Sequence, residues 1–391
     1  MLLSKIKTFF KLLLVNILVF LLVAAVVEVG GQVYFYFHPI YKDNCSTPHK
    51  TLGWKLKPNC QFINTGGRYN GEFKVLIKTN SHGFRDKERS FQKSPNTVRI
   101  ALMGDSMVEA LQVPLEKTAA HILETRLNAM SSSRGGVKYE VLNFGVGNHG
   151  LGQMFLAYKE FASTFDPDYV LFFVNGYLME RAVEYQVFEN LIESNDFVSQ
   201  RPRFLLKDGV EAYRRLESNL ARSKFLKAIE QEEMIIEYPP QSDVEKEVSS
   251  EALRFFLREF FKNLVGDLLS WKNNAPFKIR ITEIPSLSGF IVFPNAKILD
   301  LAEKLISSER RKLIILDSSK YYDNRENISG FLNDFAKARR QHYVNLSDSF
   351  LAAEKKGNRI RWTGDAHFNE NGQRVFGETI FNWMRDNFTL L

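Results

Sequence analysis

Cysteine is almost missing from this chain: Cys45 and Cys60 are the only two in 391 residues. That excludes a disulfide-dense scaffold. Zinc-finger spacing, a P-loop, a glycine-rich dinucleotide fingerprint and internal repeats are all lacking, which removes the commonest nucleotide-binding and solenoid classes. A concentrated basic tract is lacking too. The net charge is +7, but Lys and Arg are scattered, and the densest runs are Arg310-Arg311-Lys312 and Lys337-Ala338-Arg339-Arg340. Such short runs read as solvated helix faces or ends, so no nucleic-acid partner is expected. No acidic residue precedes Glu28.

What is present is globular. Hydrophobic residues make up 45% and charged residues 25%, and the 33 Phe point to a large aromatic core. Lys5, Lys7 and Lys11 precede an apolar run over 12–27, broken only by Asn16. Counted from Phe9, the run would make ~28 Å of helix, close to the ~30 Å of a bilayer core. The aromatic cluster Tyr34-Phe35-Tyr36-Phe37 follows, as expected at a headgroup zone. Basic residues before the span put the N-terminus in the cytoplasm and the rest outside. The expectation is a single-pass membrane protein with a stub and signal-anchor helix over 1–30. A cleavable signal peptide is the rival reading, but Ala24-Ala25 lacks a small-x-small pattern. On the exported side, a Cys45–Cys60 disulfide would staple a short loop; two buried thiols are the alternative.

Residues 31–92 read as a strand-and-turn segment, with turn signals at Pro58-Asn59 and Gly66-Gly67 and a strand over 73–77. From Val98 the pattern alternates strand, turn and helix. Short apolar runs at 98–103, 139–143, 169–174, 313–316 and 342–346 look like buried parallel strands. Helical patterns lie at 119–127, 154–165, 328–340 and 370–387. Strands separated by helices imply right-handed crossovers and a parallel sheet covered on both faces, an α/β domain over 93–391. A stretch over about 182–309 breaks the alternation and reads as a largely helical insertion. Within it, residues 251–271 carry an amphipathic pattern, with Pro239-Pro240 before it.

Gly104-Asp105-Ser106 directly follows the first of these strands. A serine there stands at the C-terminal edge of a parallel sheet, where open α/β folds bind ligands. Its hydroxyl needs a base, and the base needs an orienting group. Of the seven His, His367 has the best surroundings, in Gly364-Asp365-Ala366-His367-Phe368-Asn369 just before the last helix. Asp365 can hold one ring nitrogen while the other faces Ser106. Each signal alone is an ordinary turn or helix cap; together they mark the two ends of one α/β domain.

On these two blocks, Ala101 to Glu109 and Asp365 to Gly372, the chain resembles the SGNH (GDSL-like) hydrolase superfamily. The stretch Val141-Leu142-Asn143-Phe144-Gly145-Val146-Gly147-Asn148-His149-Gly150-Leu151-Gly152-Gln153 resembles the block that carries an oxyanion glycine. Thr79-Asn80-Ser81-His82-Gly83-Phe84-Arg85-Asp86 resembles a segment that precedes this domain in membrane-anchored bacterial members. The resemblance implies a flavodoxin-like three-layer sandwich around a central parallel sheet. It implies Ser106 as nucleophile, His367 as general base and then acid, and Asp365 as its orienting group. It also implies Gly147 and Asn175 as oxyanion donors, with Gly145 or Asn148 as one-residue alternatives to Gly147. The third block departs from the family: Phe173-Val174-Asn175-Gly176-Tyr177 stands where Gly-x-Asn-Asp is usual. Asn175 can instead form an Asn-Gly turn.

Neighbouring residues stay open at this level. Glu180 and Arg181 can pair with each other or meet a polar substrate; His149 can contact substrate; Trp362 can pack under the His367 loop or stack on a sugar. The chemistry expected is hydrolysis or transfer of a small acyl group, most naturally acetyl, on an extracytoplasmic glycan, with no metal or organic cofactor. Partners would be the acylated glycan or another ester, the membrane, and polysaccharide-assembly proteins. A scaffold or glycan-binding protein with a dormant site, and a lipid esterase, are the competing classes.

Overall fold

In a computed structural model, residues 2–37, 45–66, 71–132, 136–181, 201–208, 212, 216, 222–238, 285–323 and 326–388 are described. Helix α1 (Leu2–Phe37) belongs to the first of two units. Its stretch Phe9–Gly30 has mean hydropathy 2.9, and this helix is long and apolar enough to cross a membrane. Asn16, the one polar residue of the run over 12–27, turns its Nδ2 back onto the Leu12 carbonyl at 2.9 Å, which satisfies it within the helix.

The second unit begins with two hairpins. Strands β1 (Ser46–His49) and β2 (Gly53–Leu56) pair antiparallel, as do β3 (Gln61–Thr65) and β4 (Lys74–Lys78). A Cys45–Cys60 disulfide, Cα to Cα 5.8 Å, ties the first hairpin to the start of β3.

The alternating region then follows in chain order. Strand β5 (Thr97–Gly104) leads to α2 (Ser106–Glu109) and α3 (Ala119–Ser132). Strand β6 (Lys138–Gly145) leads to α4 (Leu151–Glu160), and β7 (Tyr169–Val174) to α5 (Gly176–Arg181). Strand β8 (Arg203–Leu206), α6 (Arg222–Gln231), β9 (Met234–Glu237) and α7 (Pro285–Ser308) come next, then β10 (Lys312–Asp317), α8 (Ser319–Asp323) and α9 (Glu326–Ala338). Strand β11 (His342–Asn345), α10 (Ser347–Lys355) and α11 (Glu370–Asn387) complete the chain. The five strands β11-β10-β7-β5-β6 form one sheet, all parallel. Counted along the chain, that is the flavodoxin-like order 2-1-3-4-5. Helices α3 and α11 pack on each other, as do α4 and α7, and α9 lies on β10 and β11. The arrangement is an α/β sandwich consistent with an SGNH-like fold.

The central strands are apolar because both faces are covered: Ile100, Leu102, Leu171, Phe172, Phe173, Ile314 and Ile315 are fully buried. Phe173, Phe350, Phe368 and Phe376 form an aromatic core, with Phe350 and Phe368 centroids 4.8 Å apart. Arg99 departs from the pattern. It sits buried in β5, where Glu140 at 2.8 Å and the carbonyls of Ser90, Phe91, Gln92 and Phe165 satisfy its guanidinium.

The stretch over 182–309 is less uniformly helical than its pattern suggests. Strands β8 and β9 pair antiparallel within it, with α6 between them in the chain. Its last part is α7, the crossover helix that carries the chain from β7 to β10. The amphipathic pattern at 251–271 lies outside the described residues.

Candidate active site

Ser106 opens α2, a single turn perched on the C-terminal ends of β5 and β6. Asp105 caps this turn, its Oδ1 accepting from the Met107 N–H at 3.0 Å. Two glycines let the turn lie that close. A methyl on Gly104 would fall 2.2 Å from Val108 Cγ2, and one on Gly145 would fall 2.3 Å from the Glu109 nitrogen.

A four-residue helix leaves its carbonyls without helical partners, and here they are met from elsewhere in the fold. The Ser106 carbonyl takes the Ala110 N–H at 2.8 Å, in the turn that Ala110 closes at φ 57°. Gln373 of α11 donates to the Met107 carbonyl at 2.8 Å, and Asn143 of β6 to that of Val108 at 2.9 Å. Arg85, from the segment before β5, donates to the carbonyls of Glu109 (2.7 Å), Ala110 and Val113 (2.5 Å). The serine is half-buried on a turn with no slack.

His367 and Asp365 sit in the loop before α11, which Asn369 caps. His367 Nε2 lies 2.8 Å from Ser106 Oγ, and Nδ1 lies 2.5 Å from Asp365 Oδ1. The same carboxylate oxygen accepts the His367 backbone N–H at 2.8 Å. This network suits the tautomer with a proton on Nδ1, leaving Nε2 to accept from the serine. Burial alone would raise the Asp365 pKa. The His367 ring and backbone, with the side chain of Gln112, outweigh it and hold the carboxyl below the usual range.

The loop is itself clamped. Glu72 accepts from the Thr363 and Gly364 N–H groups at 2.9 and 2.8 Å, which holds its carboxyl below the usual range. Trp362 packs on Phe73, ring centroids 5.2 Å apart. Packing under the loop accounts for this tryptophan.

The second and third blocks are arranged differently from their motif pattern. The Gly147 carbonyl accepts from Trp54 Nε1 at 3.0 Å. A methyl at Gly147 would fall 2.8 Å from Glu109 Oε2. Gly145 is a packing residue whose N–H goes to Asn143 Oδ1 at 2.9 Å. Asn148 holds φ 64° and gives its carbonyl to Arg201. Asn175 ends β7, and its Oδ1 accepts the Leu178 N–H at 3.0 Å, so it caps α5 as an Asn-Gly turn would. Its amide nitrogen donates to no described residue.

His149 is buried, with Nε2 on the Trp54 carbonyl at 3.1 Å, and burial pulls its pKa down to about 3. It is a neutral packing histidine. Arg181 pairs with Asp105 at 2.9 Å and so braces the cap of the serine turn.

Sequence reasoning missed Glu109, Arg85, Gln112 and Glu72. The first two stand inside segments singled out for other reasons. Glu72 carries no local signal at all.

No family model matches the chain, and no curated protein does. Solved structures match distantly. An acetyl xylan esterase, AlAXEase, is 12% identical at TM-score 0.35, over 73% of this chain and 99% of that one. LAE5, an α/β hydrolase from the metagenome of Lake Arreo, is 9% identical at TM-score 0.37, over 75% and 96%. A lipolytic G-D-S-L family member from Veillonella parvula is 12% identical at TM-score 0.34, over 75% and 100%. At that distance the likeness carries no functional argument. The chemistry rests on the geometry.

Proposed function

We propose that this chain is an extracytoplasmic, membrane-anchored serine esterase or O-acyltransferase that acts on small acyl groups, acetyl above all, of a glycan. One observation carries the reading: the unbroken hydrogen-bond chain Ser106 Oγ to His367 to Asp365, 2.8 and 2.5 Å long. In the mechanism, His367 Nε2 takes the Ser106 proton as Oγ attacks the acyl carbonyl. The imidazolium is stabilised by Asp365 and returns the proton to the departing alkoxide. Water or a sugar hydroxyl then attacks the acyl-enzyme with His367 again as base. The Ser106 and Gly147 N–H groups and the Asn175 amide are the proposed oxyanion donors. The glycan and the compartment follow from the α1 anchor and the resemblance, and the acyl transfer from the site.

A non-catalytic glycan-binding reading is favoured by one observation: Asn175 Oδ1 caps a helix. Losing one oxyanion donor costs ~100- to 1,000-fold in turnover, so the two readings differ in rate before they differ in chemistry. The test uses the full-length chain in detergent with p-nitrophenyl acetate and a fluorophosphonate. Acetyl release and labelling, both abolished in Ser106→Ala, are expected. Absence of both in the wild-type chain refutes the enzyme.

A further inference from the structure

Strands β3 and β4 turn one face inward and leave the other bare. Phe62, Val75 and Ile77 pack inward with Phe73, and Asn64 donates to the Leu111 carbonyl at 2.8 Å. Alternation puts Gln61, Ile63 and Thr65 of β3, with Lys74, Leu76 and Lys78 of β4, on the opposite face, all exposed. The register sets Ile63 across from Leu76, Gln61 across from Lys78 and Thr65 across from Lys74. The solvated face of an antiparallel pair ordinarily carries polar residues. Here its centre is an aliphatic pair, 50% and 55% exposed, with a lysine at either end and no acid among the six residues.

Chain connectivity names the neighbour. Residues 38–44 join α1 to Cys45 and can reach at most ~28 Å. The Cys45–Cys60 disulfide then brings the start of β3 to the point where this tether enters, Cα to Cα 5.8 Å. The stretch 45–79 carries Lys50, Lys55, Lys57, Arg68, Lys74 and Lys78 against one acid, Glu72. That acid is already taken up by the Thr363 and Gly364 N–H groups. The segment tied most directly to the apolar helix is thus cationic, with aliphatic side chains bared at its surface.

We infer that the outer face of β3 and β4 docks on the bilayer that α1 spans, with Ile63 and Leu76 at the headgroup–acyl boundary and Lys74 and Lys78 on anionic lipid headgroups. The inference goes beyond the acyl chemistry and rests only on the membrane-anchor part of the proposed function. A second copy is the poorer occupant, because it would meet this face with the same lysines, which repel. The same hairpin carries Glu72, so a docked face also steadies the loop that holds His367.

The test reconstitutes the full-length chain in vesicles of phosphatidylcholine, and of phosphatidylcholine with phosphatidylglycerol. Acetylation of each lysine by an anionic, membrane-impermeant reagent is followed by mass spectrometry and normalised to Lys117, whose side chain is 51% exposed. An anionic surface repels the reagent and keeps docked amines protonated. Lys74 and Lys78 should therefore react roughly fivefold more slowly in the anionic vesicles than in the neutral ones. In Ile63→Thr/Leu76→Thr, where β-branched residues suit both strand positions, most of that protection should be lost. Equal rates in the two lipids, or protection in the variant equal to that of wild type, overturns the docking. Protection that appears in neutral vesicles and grows with protein density assigns the face to a second copy and overturns it too. A wild-type chain that alkaline carbonate washes from the vesicles refutes the anchor itself, and the docking falls with it.

Discussion

Replacing Arg85 with Met should both destabilise the fold and slow the serine. The guanidinium is 1% exposed and donates to three carbonyls at the end of, and just beyond, the turn that Ser106 opens. Burial lowers its pKa to about 10, against the opposing pull of Glu109, so it stays charged at neutral pH. Met fills the space of the stem but donates nothing. The Ala110 carbonyl keeps the Val113 N–H at 3.3 Å, while those of Glu109 and Val113 lose their bonds from Arg85. Two orphaned carbonyls at ~1–3 kcal/mol each, partly offset by no longer burying a cation, give an expected loss of about 2–4 kcal/mol. Glu109 also loses its nearest cation, so its carboxyl becomes still harder to ionise. Urea unfolding of the detergent-solubilised chain, followed by tryptophan fluorescence at fixed slope, measures the first effect. The rate of fluorophosphonate labelling measures the second. Arg85→Lys should fall between: a point charge cannot reach both the Glu109 and Val113 carbonyls as the planar fork does. If Arg85→Met unfolds within about 1 kcal/mol of wild type and labels at the same rate, the guanidinium does not hold the turn.

Two further outcomes concern stability. His149 stays neutral in the folded state down to about pH 3, against an ordinary value of 6.5. The stability it contributes is present above 6.5 and is lost as pH falls from there towards 3, by on the order of 4–5 kcal/mol at most. Urea midpoints between pH 6.5 and 4 should drop less steeply in His149→Gln, which can still donate to Trp54; equal slopes would exclude the histidine as the acid-sensitive group. Reduction of Cys45–Cys60, which spans 15 residues, should cost about 3 kcal/mol and slow labelling by loosening the hairpin that carries Trp54. Thiol titration proves the reduction, and an unchanged midpoint in the reduced protein would contradict this.

The parallel sheet was legible because its strands are buried on both faces and so appear as unbroken apolar runs; β7 matches its run residue for residue. Ser106 and His367 were legible as a pair because both stand where an element ends, and the fold brings them within 2.8 Å. Helix α10 was missed because Ser347, Asp348 and Ser349 open it and blur its apolar face. Helix α7 was absorbed into the insertion, with Pro294 inside it arguing against a continuous helix. Arg99 breaks an apolar strand because its partners come from three separate stretches of chain, and no periodicity encodes that. Asn175 was open between donor and turn residue. Its cap on α5 is a local interaction that Asn-Gly foreshadows, whereas the reach of Glu72 to Gly364 is set wholly by the tertiary fold.

The segment before β5 is bound to three loops of the site, each by a different chemistry. Trp54 donates a neutral hydrogen bond to the Gly147 carbonyl and Arg85 a charge-assisted set to the turn behind Ser106, while the Glu72 carboxylate accepts from two N–H groups beside Asp365. The sheet alone fixes where each strand ends, but not how the few residues beyond it are oriented. A 2.8 Å contact between residues 106 and 367 needs both loops held at once. With few internal bonds of their own, α2 and the 361–368 loop borrow rigidity from a chain segment that the disulfide has already ordered. The cost of ordering that segment is thereby met during folding, before any acyl group arrives.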